Sequence, residues 1–256
     1  MFVLERYCTT SKGIDYVKES DLFEPLKEFL YQKMGCQQVY AEVNDIDVVG
    51  RHGNVYIGVE MKTSLNFKVI EQAINRKSLV DYVFILVPQP KSQHRKFVLD
   101  WIKGLGIGLM YYNANPRTFS EIKGVKIIYW GKRQRCSKYF HIADRINDEI
   151  HLVNIGGSKG GETITEYKLT IEKIKECLYF HRTGLTIDEL LENVQTHYAN
   201  PKPSTMATLR AKWNEDWLEI FTEDKKLKYC MKESYREEYW EEHKERRAEM
   251  RARNRS

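Results

Sequence analysis

Apolar positions in this chain recur with two different periods. Leu22, Phe23, Leu26, Phe29 and Leu30 fall at helical spacing, with Ser20 and Asp21 offering N-cap oxygens before them. A helix is therefore expected over Leu22 to Met34, with Gly35 as its stop. The pattern then shortens. Val43, Ile46, Val48 and Val49 form one apolar run, and Val55, Tyr56, Ile57 and Val59 form a second. Arg51-His52-Gly53-Asn54 between them is polar and contains glycine, so the stretch from Glu42 to Lys62 reads as two strands joined by a tight turn. A second helix is predicted from Phe67 to about Lys77, then a strand from Tyr82 to Val87 that is apolar throughout and so buried on both faces. Pro88 and Pro90 end it. A basic helix is expected from Lys91 through Trp101, a turn and buried strand over Gly104 to Tyr112, and another strand over Val125 to Trp130.

The pattern changes after Asn154. Asn154 to Glu162 holds four glycines and reads as a flexible connector or as a compact loop packed on the preceding core. Beyond it comes a helix from Tyr167 to His181. A shorter one starts at Thr186, where Glu189 completes a capping box. A third opens at Pro201-Lys202-Pro203 with Met206, Leu209, Trp213 and Trp217 on its apolar side, and Leu218 to Met231 reads as a hairpin turning at Glu223-Asp224-Lys225-Lys226. From Lys232 the chain is almost continuously charged and is expected to be an exposed helix fraying into a basic tail. These shifts divide the chain into residues 1–153, a connector 154–166, a second domain 167–231 and a charged C-terminal helix or tail 232–256.

Composition narrows the function classes. With 42% apolar and 30% charged residues, the chain has the make-up of a soluble globular protein. A net charge of +5 suits a nucleic-acid partner. The five cysteines show no C-x-x-C spacing, which argues against a zinc ribbon or a disulfide framework and fits a cytoplasmic protein. No run is apolar enough for a membrane span. Gly104-x-Gly-x-Gly108 lacks a following Gly-Lys-Ser/Thr or helix, so neither an ATP loop nor a dinucleotide site is read there.

The chemistry concentrates in the hairpin. Glu60 and Lys62 share one face of the second strand, and a register that brings Asp47 beside Glu60 gives two carboxylates and a lysine at the end of buried strands. Charges there need a partner or a metal. Mg2+ takes oxygen ligands, and it polarises a phosphodiester and activates water. Asp45 competes with Asp47 for the ligand role; Asp47 is preferred because Val48 and Val49 follow it directly, while Asp45 suits a turn. A solvated Glu-x-Lys surface pair is the bland alternative.

Asp47 followed after thirteen residues by Glu60-Met61-Lys62, flanked by the two helices and the apolar strand, resembles the D-x(n)-E-x-K signature of the PD-(D/E)xK nuclease superfamily. The resemblance implies a restriction-endonuclease-like α/β core, a mixed sheet flanked by helices, over residues 1–153. It implies a metal-dependent deoxyribonuclease of restriction, repair, phage or mobile-element type, using Mg2+ with Mn2+ as a substitute and leaving 5′-phosphate and 3′-hydroxyl ends. Asp47, Glu60 and the main-chain carbonyl of Met61 would hold the metal, and Lys62 would orient the attacking water. Glu24 is either a further ligand or an exposed first-turn acid. Gln72 is the candidate supporting residue on the following helix, and Arg76 is a phosphate contact or a solvent-facing side chain. Lys132, Arg133 and Arg135 lie in the densest basic run of this half.

Three helices and a hairpin in the second half resemble a winged helix-turn-helix, a small α+β module. Its recognition helix would run from Pro203 to Glu215, with Ser204, Thr205, Thr208, Arg210 and Lys212 as contacts and Lys225, Lys226 and Lys228 on the wing. Many such modules bind protein instead, and Glu215, Asp216, Glu219, Glu223 and Asp224 weigh that way. The expected partner is DNA, with a homodimer needed for a symmetric double-strand cut. The alternative is a non-cleaving DNA-binding or regulatory protein that uses the same fold.

Overall fold

The computed structural model describes residues 18–115, 123–136, 141–158 and 163–253, with side chains through residue 244 in the last helix. The chain divides into two units, Met1–Thr163 and Ile164–Ser256. Ser137 and Lys138 at the end of the basic run, and residues 159–162 of the glycine-rich stretch, lie outside the described residues.

In the first unit a 3-10 turn (Glu19–Leu22) leads into α1 (Phe23–Gln32). Then come β1 (Gln38–Val43), β2 (Ile46–His52), β3 (Val55–Met61), α2 (Phe67–Arg76) and β4 (Tyr82–Pro88). They are followed by α3 (Lys96–Gly104), β5 (Gly108–Asn113), β6 (Gly124–Tyr129) and the short α4 (Asp148–His151). The six strands form one sheet in sequence order. β1, β2 and β3 pair antiparallel, β3 with β4 and β4 with β5 pair parallel, and β6 returns antiparallel. The result is a mixed α/β sheet with a helical layer on each face.

The alternation of β4 sets those layers. Val83, Ile85 and Val87 point to the face where α2 and α3 bury Val69, Ile70, Ala73, Leu99 and Ile102. Phe84 and Leu86 point to the opposite face, against Leu22, Leu26 and Leu30 of the α1 segment. This is the two-faced burial that an unbroken apolar strand requires.

Three boundaries in this unit differ from the sequence reading. Val43 does not begin β2 but ends a strand of its own, and Val43 pairs with Ile46 across a two-residue turn. Asn44 and Asp45 both sit in the left-handed region, at φ 49° and 62°, which gives the turn the twist that matches a hairpin. The expected turn at 51–54 contracts to Gly53-Asn54, flanked by the pair His52 and Val55. Helix α3 begins at Lys96, not Lys91. Residues 91–95 carry no apolar side chain to bury, and the helix starts where Leu99 and Ile102 supply a face.

The second unit runs α5 (Glu166–Phe180), β7 (Leu185–Thr186), α6 (Ile187–Asn193), α7 (Pro201–Leu209), a 3-10 turn (Lys212–Asn214), β8 (Leu218–Glu223), β9 (Lys226–Met231) and α8 (Glu233–Arg253). Its sheet has the order β7-β9-β8. The capping box at Thr186 and Glu189 is formed. α7 is shorter than the expected Pro203–Glu215. The Asn214 amide donates to the Thr208 carbonyl at 2.8 Å and its side-chain oxygen accepts from the indole of buried Trp217, so side-chain bonds replace the helical ladder there. β7, only two residues long, carries too little pattern to be read from sequence. The start of α8 is not an exposed charged helix: Tyr239 is buried with Ile174, Leu178 and Tyr229, and Arg236 is buried and donates to the Tyr179 carbonyl. Among the described residues no helix is long and apolar enough to cross a membrane.

Candidate active site

The register of the central hairpin creates the site. Val48 pairs with Val59, so Asp47 and Glu60 are the next positions along the two strands. The Asp47 carboxylate accepts a hydrogen bond from the Met61 amide at 2.7 Å. Lys62, whose own amide donates to the Leu86 carbonyl, places its ammonium 3.6 Å from the same Asp47 oxygen. On the far side of Lys62 stands Glu19, at 2.7 Å.

Glu60 is fully buried. One carboxylate oxygen accepts from the Arg76 guanidinium at 3.0 Å, and Arg76 also donates to the Asp45 carbonyl at 2.7 Å. The other oxygen, Oε2, is buried without a hydrogen-bond partner, and so is Oε1 of Gln72. Gln72 lies one turn before Arg76 on α2 and so shares its face. A buried carboxylate oxygen without a donor is costly and marks a position where a further positive group is needed.

Glu42 adds a third acid from the strands. It takes φ 57°, and its carboxylate accepts from the Gly157 amide at 2.7 Å. Gly156 and Gly157 therefore belong to the wall of the site. An added Cβ on Gly156 would stand 2.6 Å from the Asp47 carbonyl oxygen, so the backbone approaches closely only because no side chain is present.

Four carboxyls (Glu19, Glu42, Asp47, Glu60) thus face two cations (Lys62, Arg76). The imbalance appears in their protonation. Burial, then the nearby Asp47 charge, pushes both Glu42 and Glu60 from 4.5 up to about 7. Burial also raises Asp47, against the opposing pull of Lys62 and the Met61 amide. Burial alone would lower Lys62, but the hydrogen bond to Glu19 and the charges of Asp47, Glu19 and Glu60 hold it above its ordinary value. Lys62 is therefore an ammonium ion here, able to orient or stabilise negative charge and not to accept a proton.

Among the described residues no group of three or more His, Cys, Asp or Glu is disposed to hold a metal. Mg2+ needs less than that: one or two carboxylates, with waters and substrate phosphate completing the shell. The bare Oε2 of Glu60 beside Asp47 is an oxygen donor of the right hardness in a site short of positive charge, so the residues fit such an ion.

Other expected positions are distributed differently. Glu24 is exposed on the first turn of α1, and Glu19 is the acid from that segment that meets Lys62. Arg76 is committed to Glu60 and the Asp45 carbonyl, neither solvent-facing nor open to a phosphate. Lys132, Arg133 and Arg135 are exposed, but the Arg133 guanidinium rests on Asp81 at 3.0 Å. In the second unit Thr205 is fully buried and faces the core, so it is not a surface contact. The Thr208 hydroxyl bonds that of Tyr198 at 2.8 Å, Ser204 is half-buried, and Arg210, Lys212, Lys225 and Lys226 are exposed. Arg210 caps α7 and Lys212 lies in the following 3-10 turn.

Glu19 and Glu42 were missed from sequence. Glu19 sits ahead of the apolar periodicity that marked the helix, in a 3-10 turn. Glu42 opened the stretch of interest, but its inward turn depends on a left-handed backbone that no local pattern announces. Compared with protein-family models, with curated proteins and with solved structures, the chain finds no match.

Proposed function

We propose that the first unit is a metal-dependent deoxyribonuclease of PD-(D/E)xK type with a restriction-endonuclease-like core. One observation carries the reading: Glu60, buried beside Asp47 and followed by Lys62, keeps an oxygen without any partner. Asp47 and Glu60 would hold Mg2+, with the Met61 carbonyl as the expected third oxygen and Mn2+ as a substitute. The ion, when bound, supplies Lewis-acid polarisation of the phosphodiester and a more acidic water. Lys62, charged and held between Asp47 and Glu19, orients that water and stabilises charge developing on the phosphate. Arg76 fixes the Glu60 carboxylate by its second oxygen, and Gln72 is a further donor or acceptor on the same helix face.

The second unit is read as a winged helix-turn-helix. Its order of helix, strand, two helices and hairpin supports this, as does the sheet order β7-β9-β8. Ser204, Thr208, Arg210 and Lys212 would meet DNA from the α7 end, and Lys225 and Lys226 from the hairpin tip.

A specific observation favours a second reading, in which the fold binds DNA without cutting it. Arg76 and Lys62 already neutralise part of the acidic set. The two readings separate in one experiment. Supercoiled, linear and single-stranded DNA are incubated with wild type and Lys62→Ala, in Mg2+, Mn2+ or EDTA. Metal-dependent cutting lost in the variant is expected. Retained binding without cutting on every substrate and in either metal would establish the binder, and equal cutting by both proteins would refute the assigned site.

A further inference from the structure

Two of the most exposed large apolar side chains in the first unit lie on α2 and α3, the helices that cover one face of its sheet. Phe67, the first residue of α2, is 72% exposed, and Phe97 on α3 is 74% exposed. The Phe67 ring meets Trp101 of α3 at a centroid distance of 5.8 Å, tilted by 54°. Phe97 lies four residues before Trp101, one turn along the same helix face. Phe67 and Trp101 are thus in contact where the N-terminal end of α2 meets α3, with Phe97 one turn away along α3. Of the aliphatic residues on the same helices, Val69, Ile70, Leu99 and Ile102 are buried, Val98 is half-buried, and Ile74 is 36% exposed. The most exposed apolar groups are the flat rings, and the exposed charges around them are mostly cations: Lys68 follows Phe67, and Arg95 and Lys96 precede Phe97, with Lys91 before them, against the acids Glu71 and Asp100. Over 91–103 four basic residues stand against the single acid Asp100.

A protein helix docking here would want aliphatic ridges and a charge-poor centre. Rings set among lysines and arginines match a different ligand, a polyanion whose units carry π-faces. Unpaired nucleotides are that ligand: bases stack on aromatic side chains and the backbone is held by the cations. Duplex DNA offers no free base face. The position also fits. Phe67 follows Lys62 by five residues, so their Cα atoms are at most about 18 Å apart, roughly five stacked nucleotides at ~3.4 Å each.

We propose that Phe67, Phe97 and Trp101 form a stacking platform for unpaired bases, so that the substrate is DNA carrying a single-stranded segment next to the scissile position. The inference rests on the nuclease reading for the word substrate, but the platform itself is tested by binding alone. Full-length protein is titrated in EDTA with a fluorescent duplex bearing an oligo-dT tail and with the same duplex fully paired. The proteins are wild type, Phe67→Ala/Phe97→Ala and Phe67→Leu/Phe97→Leu. Both side chains are mostly exposed, so the variants should fold, which circular dichroism checks. Wild type should prefer the tailed DNA, and that preference should fall by at least tenfold in both double variants, with binding to paired DNA within twofold of wild type. Equal wild-type affinity for the two DNAs, or an unchanged preference in the Ala pair, overturns the proposal. So does retention by the Leu pair, which would mean an apolar protein-type patch, or a dimer in sedimentation that the Ala pair dissociates while tail binding persists. Adding Mg2+ separates the two readings. Tail-dependent binding without cutting keeps the platform and removes the nuclease. Equal cutting of tailed and paired DNA by wild type and the Ala pair does the reverse.

Discussion

Glu60→Gln should stabilise the first unit, and by an amount that depends on pH. Glu60 is fully buried, one of its oxygens lacks a partner, and it titrates at about 7 in place of 4.5. The folded protein therefore binds more protons than the unfolded chain between these values, so stability falls as pH rises from 4.5 to 7. At ~1.4 kcal/mol per pH unit the loss is about 3 kcal/mol, complete above pH 7 and absent below 4.5. Glutamine keeps the shape and an acceptor for Arg76 but carries no charge, so it escapes this loss. The variant should match wild type near pH 4.5 and exceed it by about 3 kcal/mol at pH 8. Because Trp residues occur in both units, fluorescence would mix two transitions. Native-state hydrogen exchange of peptides covering 55–61 and 82–88, compared between proteins at the same pH in EDTA, reads this unit alone. Adding Mg2+ at pH 8 should narrow the gap by protecting wild type and leave the variant unchanged. A wild type as stable as Glu60→Gln at pH 8 in EDTA would refute the reasoning, because Arg76 alone would then satisfy the buried carboxylate.

Other outcomes follow from the same geometry. Mg2+ affinity should fall below pH 7, since Glu60 must lose its proton to bind the ion, and calorimetry at pH 6.5 in two buffers of different ionisation enthalpy should report proton release. Gly156→Ala should destabilise the first unit by more than about 1 kcal/mol and abolish metal binding, because the new methyl meets the Asp47 carbonyl; hydrogen exchange and the same titration check it. Thr205→Val should stabilise the second unit by about 1 kcal/mol, since its buried hydroxyl has no partner, and should leave DNA affinity unchanged, whereas Arg210→Ala should weaken binding and reduce its salt dependence.

How the chain made itself readable differs from element to element. Helical spacing marked α1, α2, α5 and α6 to within a few residues, and the continuous apolar run of β4 implied burial on both faces, because local periodicity follows from which side faces the core. The Asp47, Glu60 and Lys62 set was visible for the same reason: charges inside apolar strands stand out against their neighbours. Positions that depend on distant chain were not visible. Whether Glu24 or Glu19 reaches Lys62 depends on how the segment ahead of α1 approaches the end of β3. Arg76 looked like a surface cation, and only the packing of α2 over β3 turns it onto Glu60. Thr205 sits among exposed polar residues in sequence, yet the face of α7 that packs inward decides its burial. Glu42 joins the site through a left-handed backbone and an amide 115 residues away. The amino-acid pattern thus determined the elements and the chemistry of the central hairpin, because these obey short-range periodicity. The partners of each charge were decided in three dimensions, because electrostatic pairing depends on distances that close only when the sheet and its helices pack.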